Sequence, residues 1–245
     1  MQTTTCILTL FLVSFIFCQQ QQSEITAASA ASLIAGNLDL NGPATSIQLL
    51  KPLFVSLDEK NQLLYISGND LVRVMNLVTN STSVVAGTGF SGYSGDYEMA
   101  TSATLSNPTG IAMDSNNNLI YICDCGNNVV RVVNRTSGMI TIFAGIAGQS
   151  GNGGDGGLAT DSTLSSPFGI AIDSDNNLVY IADRNNNVIR VVNRTSGIIT
   201  SNFPQLNLEQ PSGIVMDSGK QILYVADKNT NLIRAVNIVT NTISK

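Results

Sequence analysis

The sequence contains no histidine, which removes the side chain most often recruited as a general base near neutral pH and as a metal ligand. Cysteine is scarce: of four, Cys6 and Cys18 belong to an apolar N-terminal stretch, which leaves Cys123 and Cys125 to the body of the chain. Two cysteines exclude a disulfide framework, and Cys-x-Cys without histidine lacks the partners of a zinc site. Charge is thin as well, with 12 Lys and Arg against 17 Asp and Glu in 245 residues. The basic footprint of a nucleic-acid binder is therefore missing. The longest uncharged apolar run, Cys6–Phe17, has about 12 residues and is too short to span a bilayer. It suits the h-region of a signal peptide over residues 1–18, although the segment before it, MQTTT, carries only the terminal amine. After cleavage no transmembrane segment is expected, and no cofactor.

What the chain does have is an internal repeat. Leu105–Thr141 and Leu164–Thr200 align without a gap and agree at roughly 27 of 37 positions, the self-similarity of a repeat architecture. Each copy holds four short runs rich in β-branched and aromatic residues. In the second copy these are Gly169–Asp173, Asn177–Ala182, Val188–Val192 and Ile198–Thr200, separated by polar turns. Four strands joined by tight turns make one antiparallel meander. Several strands are apolar on both faces, so each sheet is expected to be covered on both sides by sister sheets. Radial stacking of four-stranded sheets is the β-propeller.

The pattern Pro-x-Gly-Ile-Ala-x-Asp, Leu-x-Tyr-Ile-Ala-Asp, Asn-x-Ile-Arg-Val-Val resembles the NHL repeat. The Gly-rich insertion Ala144-Gly145 to Gly153-Gly154-Asp155-Gly156-Gly157 is similar to that of extracellular NHL propellers, including the propeller of teneurins. The resemblance implies an all-β propeller of four-stranded antiparallel blades. It also brings in the single-stranded RNA binding of some cytosolic members, which the acidic mature chain does not support.

In chain order, residues 19–31 read as a flexible, Gln-rich lead-in and residues 32–245 as the propeller. Ser32–Gly36 matches the fourth strand of a blade, with no first three strands before it. Blades follow at about 52–87, 108–145, 167–204 and 211–245, the last ending just inside its fourth strand. Either Ser32–Gly36 closes a four-bladed ring by completing the last blade, or the chain is an incomplete part of a larger ring, six blades being usual where the resemblance leads. The second arrangement is favoured here, since four sheets close with steep twist and an incoming strand would duplicate the one that begins at the end. It would leave open edges on the first and last blades.

Three constellations stand out. Asp124/Arg131, Asp183/Arg190 and Asp227/Arg234 recur at one spacing, the Arg diagonal to the Asp across a hairpin. A feature present in every blade is read as an architectural ion pair, because an active site needs one place. The loops Ser91–Tyr97 and Gly151–Gly157 lack the lysine and following helix of a phosphate loop. Their glycines are expected to supply positive φ, while Asp96 and Asp155 bond the loop to itself. Asp173-Ser-Asp175-Asn-Asn177 has spaced oxygens, yet Leu178 and Arg184 stand where a calcium loop needs glycine and glutamate, so a polar turn is expected. Finally Asn80, Asn134 and Asn193 each begin an N-glycosylation acceptor triplet, all in the turn between third and fourth strands. That places glycans on one face, and the Gly-rich loops and the turns between second and third strands on the other.

The expected function is a secreted, non-catalytic scaffold whose glycan-free face, carrying Tyr93, Asp96, Asp155 and Arg184, meets an extracellular protein or a glycan. The alternative is a metal-dependent propeller hydrolase or lyase, as resemblance to propeller lactonases and to the amidating lyase would allow. In that case the positions before each first strand would supply ligands: Lys51, Asn107, Ser166 and Gln210, with Glu209 the lone carboxylate. No catalytic residue is assigned.

Overall fold

The computed structural model describes residues 42–44, 49, 51–203, 206–240 and 242–244. The leader, the lead-in and Ser32–Gly36 lie outside the described residues. Four antiparallel sheets follow one another, and the protein is a four-bladed β-propeller. Blade one comprises β2 (Pro52–Asp58), β3 (Leu63–Gly68), β4 (Leu71–Asn76) and β5 (Ser81–Ala86), with the short β1 (Gly42–Pro43) on its outer edge. Blade two comprises β7 (Pro108–Asp114), β8 (Leu119–Asp124), β9 (Val129–Asn134) and β10 (Met139–Ala144), edged by β6 (Glu98–Met99). Blade three is β11 (Pro167–Asp173), β12 (Leu178–Asp183), β13 (Val188–Asn193) and β14 (Ile199–Asn202). Blade four is β15 (Pro211–Asp217), β16 (Ile222–Asp227), β17 (Leu232–Asn237) and β18 (Ile243–Ser244). Among the described residues no helix is long and apolar enough to cross a membrane.

The asparagine content follows from the turns. Gln62, Asn118, Asn177 and Gln221 end the turns between first and second strands with φ of 53° to 56°. Asn128, Asn187 and Asn231 do the same between second and third, with φ of 58° to 59°. Asn tolerates this left-handed geometry better than most side chains. The turns are further held by short side chains: Asp114 Oδ1 accepts the N–H groups of Asn116 and Asn117, and Asn193 Oδ1 those of Thr195 and Ser196. The Asp173–Asn177 stretch is such a turn, with Asp173 accepting from Asn176 through both its carboxylate oxygens.

Sheets bury apolar side chains on both faces, in three layers between successive blades. Tyr65, Val72 and Ala86 meet Ile111, Ile120 and Ile122. Tyr121, Cys123 and Val130 meet Ile170, Val179 and Ile181. Tyr180, Ala182 and Ile189 meet Ile214, Leu223 and Val225. Cys123 and Cys125 are both buried free thiols. The layers end at blade four, where Val215 and Ile233 are 40% and 53% exposed at positions whose blade-three counterparts, Ala171 and Ile189, are buried.

The first strands lie innermost and pack in series, β2 on β7, β7 on β11 and β11 on β15. Among the described residues β15 and β2 do not pack on one another in that way. Glycine permits the close approach. A Cβ on Gly110 would stand 2.6 Å from the Phe168 carbonyl oxygen, and one on Gly169 2.1 Å from that of Ser212. Each first strand also carries a register shift just after its proline, a bulge of the kind that bends a strand.

Two sets of side-chain ties join neighbouring blades. On the loop face Asp70, Asn128 and Asn187 each present Oδ1 to the N–H of the residue that precedes the next first strand: Asn107, Ser166 and Gln210, at 2.7, 2.9 and 2.8 Å. On the opposite face Arg135 reaches back to Asp58 at 3.4 Å and Arg194 to Asp114. Both arginines are the middle residues of the Asn-Arg-Thr triplets.

The inter-blade loops run differently from the sequence-based expectation. They do not stay on one face. The two Gly-rich loops cross the outer edge of the next blade before returning to the axis: β6 pairs with β10 at Met99↔Met139, and Leu158 bridges Ile198. Ala100 and Ala159 then donate to the carbonyls of Gly138 and Gly197 in the third-to-fourth-strand turns. The outer edge of the blade is thereby covered, which removes a template for pairing with other chains. Asn80, Asn134 and Asn193 all stand at the connection between third and fourth strands, as expected, but Asn80 differs from the other two in its place there. The register equivalent of Asn134 and Asn193 is Asn76, whose Oδ1 caps the turn at Val78 and Thr79. Asn80 lies at the far end of that turn, exposed, with φ 56°.

Candidate functional site

The loop face is built on buried arginines. Arg131 on β9 is paired across the sheet with Ile122, one diagonal step from Asp124 at the end of β8. Its guanidinium bonds Asp96 Oδ1 at 2.7 Å and the Ser94 carbonyl at 3.2 Å, and stands 3.7 Å from Asp124 Oδ2. Tyr93 lies over it with the ring centroid 4.8 Å from Cζ, and its hydroxyl donates to Asp96 Oδ2. Burial and the Asp96 carboxylate push the Tyr93 phenol well above its ordinary range. Blade three repeats the frame. Arg190 bonds Asp155 at 2.9 Å, the carbonyls of Gly153 and Thr163 at 3.1 Å each, and Asp183 at 3.5 Å. Asp96 and Asp155 thus hold their loops to the blade arginines, a job that the sequence reading had given to bonds within the loop. In blade four Arg234 Nε meets Asp227 at 3.3 Å.

Asp124, Asp183 and Asp227 have a second task. Each accepts the N–H of a residue arriving at its own blade, Ser106, Ser165 and Glu209, at 2.7 Å. Asn127 and Asn186 serve the other oxygen in blades two and three. Burial nevertheless dominates and pushes the carboxyls of Asp124 and Asp183 up to about 6. On the opposite face burial alone would raise Asp58 and Asp114. The amides of Asn61 and Asn117 and the guanidinium groups of Arg135 and Arg194 outweigh it and hold both carboxyls below the usual range. Carbon-detected NMR titration of the side-chain carboxyls is expected to resolve these two classes. Asp124 and Asp183 should move near pH 6, and Asp58 and Asp114 below an ordinary aspartate.

The four residues chosen from the sequence as a binding face fall in three places. Tyr93 and Asp96 meet at Arg131, and Asp155 engages Arg190 one blade on. Arg184 lies over Phe168, its Cζ 4.6 Å from the ring centroid, and reaches Gln210 Oε1 at 3.4 Å. Phe168 in turn stacks edge to face on Phe54, centroids 5.4 Å apart. Beside this pair the first strands surround a cavity of about 730 Å³ lined by residues such as Leu53, Met113, Ile172 and Met216, with Glu59 its single ionisable lining group. At the positions considered for metal ligation the backbone N–H groups of Asn107, Ser166 and Gln210 tie the blades and that of Glu209 bonds Asp227, while Ser166 Oγ accepts from Asn185 at 2.9 Å and Gln210 Oε1 from Arg184 at 3.4 Å.

Two kinds of feature were missed in the sequence. The Arg135–Asp58 and Arg194–Asp114 ties were legible in principle, because the Arg of Asn-Arg-Thr and the Asp ending each first strand both recur at fixed spacing. Phe90 and Tyr97 are about three-quarters exposed on a loop anchored to the body, the Gly92 N–H donating to Leu105 and Asn127 Nδ2 to the Gly92 carbonyl. Only the fold shows that this loop is held.

A propeller of short four-stranded blades, with its polar groups engaged in tying blade to blade, is the class that this geometry defines. Residues 105–133 match the family model for the NHL repeat. The chain is 36% identical over 92 residues to NHL repeat-containing protein 2 of Bos taurus, 36% over 107 residues to that of Gallus gallus, and 32% over 98 residues to that of Homo sapiens. These alignments take in 37%, 44% and 40% of this chain but 12%, 14% and 13% of the relatives. Among solved structures, one from a nidogen/laminin complex superposes with a TM-score of 0.58 at 19% identity, covering 81% of this chain and 64% of that one. A putative phosphatase from Bacteroides thetaiotaomicron gives 0.56 at 17%, covering 81% and 50%. Both show the fold alone.

Proposed function

We propose that this NHL-repeat propeller is a secreted, non-catalytic scaffold that binds an extracellular protein or a glycan through its loop face. One observation carries the reading. The loop before blade two turns Phe90 outward, 74% exposed, and leaves Tyr93 36% exposed where it lies over Arg131, from a backbone pinned at Gly92 and at Asp96. Aromatic side chains on a preorganised loop supply contact area at little ordering cost and are the usual anchors of interfaces. The signal-like Cys6–Phe17 run, the three acceptor triplets and the loop's likeness to those of extracellular propellers such as teneurins support an extracellular setting. The apolar axial cavity offers little to polar chemistry.

The test begins with the full chain expressed through a eukaryotic secretory host. Secreted protein should lack residues 1–18 and lose mass when an amidase removes N-glycans. Screened against glycan arrays and extracellular protein panels, it should retain a ligand, and Phe90→Ser should weaken that ligand by a factor of about 30. A product that stays in the cytosol with its leader, or binding that ignores Phe90→Ser, would refute the reading.

A further inference from the structure

The sheets splay towards the outside of the propeller, and between blades two and three this leaves a groove of about 690 Å³ on the acceptor-triplet face, a size suited to a small ligand. Leu119, Val132 and Phe143 give it an apolar floor, and Phe143 is fixed edge to face on buried Tyr121 with centroids 4.7 Å apart. Tyr97 forms an outer wall. Its ring is 75% exposed, yet its backbone is held by an N–H bond to Ile140 O at 2.7 Å. The rim is uncharged in effect: Asn117, Asn177, Thr141 and Thr195 supply amides and hydroxyls, and Arg194 is engaged by Asp114 and by Asn177 at 3.2 Å. An apolar floor, an exposed aromatic ring and a rim of neutral donors and acceptors suit a sugar, which offers a C–H face and hydroxyl edges. The rim also includes Asn134. Its Oδ1 is held by the N–H groups of Thr136 and Ser137 at 2.8 and 3.1 Å. The planar amide therefore turns Nδ2, the atom that carries an N-linked glycan, away from the turn.

We infer that the groove is occupied by the first sugars of the glycan on Asn134, stacked against Tyr97, an inference that rests on the secretory reading above. Among the described residues Asn80 and Asn193 do not line this groove, which meets the Asn193 triplet only at Thr195. The three glycans should then differ: those on Asn80 and Asn193 stand free, whereas that on Asn134 is shielded.

The test uses the secreted full chain. Peptide mass spectrometry first gives occupancy at each acceptor. An unmodified Asn134 in a chain modified at Asn80 or Asn193 overturns this inference alone, whereas a chain modified nowhere overturns the secretory reading with it. On native protein, the amidase should release the Asn134 glycan about tenfold more slowly than the Asn80 glycan, a difference of about 1.4 kcal/mol in exposure of the linkage. Tyr97→Ala, at an exposed position, should leave the melt unchanged and abolish that difference. Equal release rates in the native wild type, or protection that survives Tyr97→Ala, would show that the groove does not hold the sugar. Denatured protein, in which all three sites should react alike, excludes an effect of local sequence.

Discussion

Replacing Arg190 by leucine is expected to cost about 3–5 kcal/mol of stability at pH 8, because it leaves a fully buried carboxylate, Asp183, without its cation. The same change strips the loop before blade three of bonds to Asp155, Gly153 and Thr163. Part of the loss should disappear in acid, and the sign can be worked out. Burial raises the Asp183 carboxyl to about 6, above the value near 4 of an unfolded aspartate. Stability from its bound proton is present below pH 4 and is lost as pH rises through 6. In Arg190→Leu the missing cation raises that carboxyl further, so at pH 5 Asp183 is neutral and the penalty shrinks to the lost loop bonds. Urea titrations at pH 5 and pH 8 measure both figures. A cost of about 0–1 kcal/mol at both would place the pair energetically with exposed ion pairs and remove its architectural role.

The second large effect is expected from one methyl group. Gly169→Ala puts a Cβ 2.1 Å from the Ser212 carbonyl oxygen, and backbone cannot rotate out of the way as a side chain can. Overpacking of this kind costs about 1–3 kcal/mol and more where main chain must shift. Gly110→Ala, which would meet the Phe168 carbonyl oxygen at 2.6 Å, should behave alike. Gly213 occupies the same place in its repeat, but a Cβ there would meet only the Ala226 methyl at 3.9 Å. Gly213→Ala should thus stay within about 0.5 kcal/mol of wild type. Thermal and urea melts of the three variants check the contrast. Equal destabilisation would mean that backbone conformation, and not the approach of the next blade, demands glycine in Pro-x-Gly.

Much of this architecture was legible before any coordinates. Leu-x-Tyr-Ile-Ala-Asp and Asn-x-Ile-Arg-Val-Val announce strands because β-branched runs between Asn-rich turns have few other stable forms. Their apolar character on both faces called for sheets packed on sheets, and the layers around Tyr121 and Tyr180 are that packing. The path of the Gly-rich loops was not legible, because pairing such as Met99↔Met139 joins residues some forty positions apart with no shared pattern. The true equivalents of the acceptor asparagines were hidden for a related reason. Asn76 and Asn80 lie in one turn, and only the strand register says which caps it.

By itself the sequence determined the strands, the turns, the four repeats and the recurring Asp–Arg spacing, since period, turn chemistry and repetition are local properties that a chain carries without folding. Tertiary structure decided what those residues are for. Asp96 and Asp155 came to rest on arginines of the following blade, Arg135 and Arg194 on aspartates of the preceding one, and Tyr97 beside Asn134, because these meetings depend on the splay of the blades and on loops that cross their outer edges. The distance between two side chains on different sheets is set by how those sheets pack, and packing is a property of neighbouring blades together.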